Sequence, residues 1–157
     1  MAAALFGEGT STIGTDASPG PICRIWDVDT DKVIFEQALS KSGIAAAVPS
    51  SDASKVLIAD STRQEGLALW DIDAGKELHR APNRSVVYSM ALSPSCRRAL
   101  AARGDGTIDL FDLPQGRIVT TFQTHGGMVS SLAFSPDGRY ALSGGPDRLV
   151  RLWRLPD

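Results

Sequence analysis

The sequence predicts an all-β chain assembled from a repeating unit of four short antiparallel strands, about three and a half units in 157 residues. Three observations carry this expectation. Aromatic-centred segments recur at a nearly fixed interval. Strand-length apolar runs separated by turn residues fill that interval. No stretch sustains a helical period.

The aromatic segments are Arg24-Ile25-Trp26-Asp27-Val28, Ala68-Leu69-Trp70-Asp71-Ile72, Asp109-Leu110-Phe111-Asp112-Leu113 and Arg151-Leu152-Trp153-Arg154-Leu155. Their central residues, Trp26, Trp70, Phe111 and Trp153, lie 44, 41 and 42 residues apart. Each reads as a strand whose aromatic is flanked by aliphatics and which closes on an acidic residue or Arg.

The rest of the unit recurs in step. Ser89-Met90-Ala91-Leu92-Ser93-Pro94 matches Ser131-Leu132-Ala133-Phe134-Ser135-Pro136 at an offset of 42, and Ala46-Ala47-Val48-Pro49-Ser50 is a degraded earlier copy. A polar turn follows each, as in Pro136-Asp137-Gly138, where Asp and Gly supply the backbone angles of a reversal. Next comes an apolar strand (Val56–Ala59, Ala99–Ala102, Tyr140–Ser143), then a second turn such as Gly104-Asp105-Gly106, then the aromatic strand. A final strand follows every aromatic one except the last. The units run approximately over 1–38, 39–80, 81–122 and 123–157. In the second, Thr62-Arg63-Gln64-Glu65-Gly66 replaces the tight turn with a longer one.

These residues resemble the WD-repeat family, in its bacterial type, whose unit is one blade of a β-propeller. The stretch from His125 to Trp153 carries the resemblance most fully. It implies a partial propeller with an incomplete ring and an aromatic from each unit filling the gap between blades. It also implies a hydrogen-bonded set within a blade. By position, the last unit supplies this set as His125, Ser143, Asp147 and Trp153, and Asp105 lies six residues before Phe111 as Asp147 lies six before Trp153. Elsewhere the set is broken: Asn83 takes the His position of the third unit and Gln64 the Asp position of the second. The last unit is therefore expected to be the most rigid.

Ser, His and Asp together also raise a serine-hydrolase reading. That chemistry needs an exposed serine at a nucleophile turn and an oxyanion hole. Ser143 instead lies late in a repeated strand with no GxSxG, so it is read as structural and no catalytic residue is expected. Gly144-Gly145-Pro146 lacks the following Lys-Ser/Thr and helix of a phosphate cradle. Asp27, Asp29 and Asp31 alternate but lack the Gly and distal Glu of a calcium loop. No cofactor or metal is expected.

The composition, 43% hydrophobic and 22% charged, is that of a globular chain. Cys23 and Cys96 match no metal spacing and read as small core residues in a reducing compartment. The N-terminus lacks the basic and apolar regions of a secretory signal, so a cytoplasmic location and no membrane contact are expected. A net charge of −2, with Arg97, Arg98 and Arg103 forming a small basic patch without aromatics, disfavours nucleic acid. The charge is uneven. Residues 1–78 hold 6 basic and 12 acidic side chains (−6), residues 79–157 hold 10 and 6 (+4).

The function expected from these readings is a non-catalytic scaffold for protein–protein interaction, with partners touching loops at the rim. Candidate contact residues are Arg80, Asn83, Arg84, Arg103, Thr124, Arg148 and the exposed edge of His125. The alternative is the C-terminal regulatory or sensory propeller of a larger multidomain enzyme such as a bacterial protein kinase. The start within a unit favours a piece of a longer propeller, while the charge difference keeps open self-association that completes the ring.

Overall fold

Each apolar run forms a strand and each polar turn reverses it, so the chain folds as successive antiparallel meanders. The computed structural model describes residues 2–7, 22–27, 29–38, 44–60, 66–82, 86–123 and 125–156, with backbone alone for 2–7 and Asp60. The first blade comprises β1 (Ala2–Gly7), β2 (Ile22–Asp27) and β3 (Lys32–Ala38). The second holds β4 (Ile44–Pro49), β5 (Lys55–Asp60), β6 (Leu67–Asp71) and β7 (Lys76–Ala81). The third holds β8 (Val87–Leu92), β9 (Arg98–Arg103), β10 (Thr107–Asp112) and β11 (Arg117–Gln123). The fourth holds β12 (Ser131–Phe134), β13 (Tyr140–Gly144) and β14 (Val150–Arg154). Strands neighbour one another in chain order within four separate sheets of three, four, four and three strands. Among the described residues these sheets amount to the expected three and a half blades and do not close a ring.

The aromatic strand has a recurring irregularity. Pairing with the following outer strand shifts between Ile25 and Trp26, between Leu69 and Trp70, and between Leu110 and Phe111. A bulge of this kind adds local twist and re-aims side chains. It falls immediately before the aromatic in all three blades that have an outer strand.

Successive blades bury their faces against each other. Cys23, Ile25 and Phe35 of the first blade pack with Val56, Ile58 and Ile72 of the second. Trp70 meets Phe35 edge-on, with ring centroids 6.2 Å apart. Leu57 and Leu69 pack with Ala99, Ala101 and Phe111 of the third blade. Leu100, Leu110 and Ile108 pack with Val129 and Ala141 of the fourth, and Trp153 lies 5.7 Å from Phe122. Because alternate residues of a strand face opposite sides, each blade's aromatic faces the preceding blade and its central aliphatic pair faces the next. Middle strands covered on both sides must be apolar throughout, and Leu67–Leu69 and Ala99–Ala102 are buried without interruption.

The turns repeat as closely as the strands. Ser50, Ser93 and Ser135 each close the first turn of a blade. Each backbone N–H donates to the carbonyl five residues on, and each Oγ accepts that residue's N–H, from Lys55, Arg98 and Tyr140, at 2.9–3.0 Å. Ser50 thus builds the same turn as the better-preserved copies. The acidic residue after Trp26, Trp70 and Phe111 begins the next turn: Asp27 Oδ1 accepts from the N–H groups of Asp29 and Thr30, Asp71 from Ala74 and Asp112 from Gln115. Asp27 is a turn cap of the type expected for Asx residues, which accounts for its position without a cation.

Within the first turn the residue at the same register is left-handed in all three copies, with φ of 56° at Ala53, 55° at Cys96 and 70° at Gly138. Only glycine adopts this conformation without a steric cost. An added Cβ at Gly138 would meet nothing closer than 3.9 Å, so the backbone angle alone sets the balance there. Ala53→Gly is expected to stabilise the fold by about 0.5–1 kcal/mol and Gly138→Ala to destabilise it by about 1 kcal/mol. Urea unfolding of both variants checks the opposite signs.

Candidate functional site

The fourth blade brings together the residues that the repeat pattern singled out. His125 lies on the connection entering the blade, Ser143 on β13, Asp147 in the following turn, and Arg151 and Trp153 on β14. Trp153 Nε1–H donates to Ser143 Oγ at 2.9 Å, and Ser143 Oγ lies 2.9 Å from His125 Nε2. His125 Nδ1 lies 2.7 Å from Asp147 Oδ2, which also accepts from Arg151 Nη1 at 2.7 Å. With the imidazole proton on Nδ1 the bonds run indole to hydroxyl, hydroxyl to Nε2 and Nδ1–H to carboxylate; with it on Nε2, Nδ1 accepts instead from Arg151 Nη1, 2.6 Å away. The set joins strand, strand, turn and connection.

The same geometry decides its chemistry. Ser143 is 1% exposed, and one of its lone pairs is taken by the indole N–H. A nucleophile must reach an external carbonyl, and this hydroxyl faces the third blade. His125 is likewise buried at 4%, so the edge expected to meet a partner is inside the molecule. Backbone approach holds it there: its N–H donates to Gly106 O at 3.1 Å, and a Cβ on Gly106 would come within 2.1 Å of the His125 carbonyl oxygen. The arrangement ties elements together.

The other blades fill these positions differently. In the third, Ala101 stands where the register places Ser143, and Phe111 stands at the indole position. Asp105 accepts from Thr107 N–H and Oγ1 within its own turn, at 3.0 and 2.6 Å. A separate buried group occupies this blade instead: Asp109, with no exposed surface, is ion-paired with Arg103 and accepts from Thr121 Oγ1 at 2.6 Å. In the second blade Ile58 takes the serine register, and Trp70 Nε1 is buried without a hydrogen-bond partner. Trp26 lies on the face of β2 opposite Cys23 and Ile25, and so on the outer side of the first blade rather than between two blades.

Of the candidate contact residues, Asn83, Arg84 and Thr124 lie outside the described residues, as does Gln64. Arg103 is turned inward to Asp109 and does not project from the rim. Arg80 is paired with Glu77 on the outer strand β7, with Nε to Oε1 at 2.8 Å. Arg148 is exposed, in the turn before β14, with φ of 64°. What the sequence reading missed at this end of the stack is apolar. Val86, Tyr88, Met128 and Leu149 are large and exposed, Tyr88 at 53%. The starts of β8 and β12 pair beside the ends of β9 and β13, so these residues share one end with the turn holding Arg148. Tyr88 lies over Gly104, where an added Cβ would come 2.9 Å from its ring. Val86 and Met128 are 42 residues apart, the repeat interval, which was the signal available.

Residues 116–154 match the family model of the WD domain, G-beta repeat. That match takes in the last strand of the third blade and most of the fourth. It is similar to WD repeat-containing protein VIP3 of Arabidopsis thaliana, at 28% identity over 156 residues, covering 90% of this chain and 49% of that protein. A shorter match, 34% identical over 83 residues, covers 47% of this chain and 9% of human WD repeat-containing protein 36. Protein groucho of Drosophila melanogaster matches at 27% over 139 residues, 84% of this chain and 19% of that protein. The chain thus spans about half the plant protein and far less of the other two. Among solved structures it superposes on the computationally designed Ika4 protein with a TM-score of 0.69 and 21% identity, covering 86% of this chain and 80% of that one.

The WD repeat of the fourth blade also has a pH signature. The hydrogen bond from Arg151, above all, lowers the Asp147 pKa to about 2, with His125 and the Leu149 N–H adding to it against the opposing effect of burial. A carboxyl whose folded pKa is depressed contributes stability above its unfolded pKa, and that contribution disappears as pH falls toward the folded value. Asp147→Asn should therefore lower the melting temperature near neutral pH, with the gap to the parent closing between about pH 4 and pH 2. Thermal scans over that range check it.

The two tryptophans should respond differently to loss of the indole N–H. Trp153→Phe removes a donor that Ser143 uses and is expected to cost about 1 kcal/mol more than Trp70→Phe, which removes a buried donor without a partner. Equal destabilisation in chemical unfolding would contradict this assignment.

Proposed function

We propose that this chain is a non-catalytic protein-interaction scaffold whose binding surface is the end bearing Tyr88, Met128, Val86, Leu149 and Arg148. One observation carries the reading: large apolar side chains are exposed together at the connection end of a rigid sheet stack. Aromatic residues, Met and Arg are the types enriched where proteins bind proteins, and loops held by a rigid scaffold are where binding chemistry concentrates. The WD-repeat relatives support the coarse assignment, and the burial of Ser143 supports a structural role for its Ser–His–Asp set. A cytoplasmic location is part of the same reading, resting on two free cysteines. Burial pushes the Cys23 thiol up to about 11, which suits a core residue rather than a reactive thiol.

The second reading, a sensory propeller attached to a bacterial-type kinase, has no support in relatives from a plant, a human and a fly. Among the described residues no helix is long and apolar enough to cross a membrane.

Proximity crosslinking in cells, read by mass spectrometry, tests the proposal. Tyr88→Ser with Met128→Ser should reduce the recovered partners by about tenfold or more, as expected for loss of central contacts. Asp73→Lys, in a turn at the opposite end, should leave them unchanged. Equal recovery from both variants, with circular dichroism intact, would overturn it.

A further inference from the structure

The turn between a blade's first and second strands is built alike in the second and fourth blades and differently in the third. Asp52 Oδ1 accepts from Ser50 Oγ at 2.6 Å and from the Ser54 N–H at 3.1 Å. Asp137 Oδ1 accepts in the same way from Ser135 Oγ and, at 3.0 Å, from the Arg139 N–H. One carboxylate thus ties the serine that opens the turn to the amide two residues beyond itself. These bonds, the serine hydroxyl's first, hold both carboxyls below the usual carboxylate range, Asp52 down to about 2. In the third blade Ser95 stands at this position, exposed. Its hydroxyl lies 3.3 Å from Ser93 Oγ, and the Arg97 N–H has no acceptor among the described residues.

The surroundings of Ser95 favour an anion. Arg97 is exposed, and Arg98 Nη1 donates to the Pro156 carbonyl at 2.5 Å. Neither meets a carboxylate among the described residues, whereas Arg24, Arg80, Arg103 and Arg151 each do. Asp52 and Lys55 of the preceding blade act on the neighbouring Cys96 with opposite signs. Cys96 itself holds a left-handed φ of 55°. That angle carries a steric cost, and no carboxylate offsets it here. Ala53 bears the same cost with Asp52 in place, so the third blade's turn is the most easily opened of the three.

We propose that Ser95 is a phosphorylation site, and that its phosphate closes this turn as Asp52 and Asp137 close theirs. The co-reactant is a nucleoside triphosphate, delivered by a serine kinase whose groove is acidic enough to accept Arg97 and Arg98. Ser95 Oγ bonds to the terminal phosphorus as that phosphorus parts from its bridging oxygen. The hydroxyl proton passes to the kinase, and the nucleoside diphosphate leaves. A phosphate reaches one bond further from the backbone than an Asp carboxylate, so its oxygens can take both the Arg97 N–H and a guanidinium. It carries about −1.5 to −2 charges at neutral pH, which matches the two uncompensated arginines. This inference goes beyond the scaffold reading and does not depend on it: Ser95 follows the end of β8, whereas Tyr88 lies near its start.

Mass spectrometry of the chain recovered from its own cells, with phosphatases inhibited, should place a phosphate on Ser95. Phosphoserine encoded at position 95 of the 157-residue chain then tests the contacts. Phosphorus NMR should show its second ionisation below the ordinary value of about 6. Arg97→Gln with Arg98→Gln, both at turn positions, should return it there. The phosphate should also raise the melting temperature by about 2–4 °C and slow hydrogen exchange at the Arg97 N–H. Absence of phosphate from Ser95 in the recovered chain, or an ionisation indifferent to the two arginines, would overturn the inference, as would an unchanged melting temperature.

Discussion

Mutual burial of sheet faces is the interaction on which the rest of this structure depends. A single four-stranded sheet cannot hide both of its sides, and an isolated blade would leave two apolar faces in water. Stacking solves this by giving every interior face a neighbour. In each junction the contact has a large flat partner and a branched aliphatic one: Phe111 with Leu57 and Leu69, Trp153 near Leu100 and Leu110, Trp70 against Phe35 and Ile25. Burying one such leucine contributes about 1.5–3 kcal/mol, so a junction of several residues outweighs any single hydrogen bond in the molecule. A bulge immediately precedes Trp70 and Phe111, the aromatics that face the blade before them across an outer-strand pairing.

This constraint explains which features were legible in the sequence. Aromatics repeat because the gap between blades repeats, and continuous apolar runs appear because middle strands are covered on both sides. The acidic residue after Trp26, Trp70 and Phe111 repeats because each begins the same capped turn. Ser50 looked like a degraded copy because Ser51 replaces the proline that follows Ser93 and Ser135. The structure shows that the hydroxyl defines the turn and the proline only accompanies it.

The site was less legible because its residues are set by partners on other strands, which spacing alone does not reveal. Asp105 and Asp147 hold the same position relative to their aromatics, yet only Asp147 faces a histidine in the described structure. Arg103 reads as a surface cation until Asp109 is seen beside it. Asp109 itself reads as an ordinary polar residue of an aromatic strand until its full burial is known. A buried carboxylate demands compensation from charge and hydrogen bonds together, and the guanidinium of Arg103 with the hydroxyl of Thr121 provides it. Favouring charged residues at the rim also hid Tyr88 and Met128. The one periodic trace was the 42-residue spacing of Val86 and Met128, which Tyr88 does not share, since Ser130 stands one interval after it.

Where the hydrogen-bonded set survives is physically informative. It is complete in the fourth blade, which has three strands among the described residues. In the second and third blades, covered on both sides, Ile58 and Ala101 stand at the serine register and make apolar contacts there. Packing from two neighbours holds strands in place without a polar chain, so the internal blades tolerate its loss, even leaving Trp70 Nε1 unpaired. The fourth blade is tied differently. There, linking Trp153, Ser143, His125 and Asp147 joins two strands to the incoming connection and fixes the twist of the last sheet.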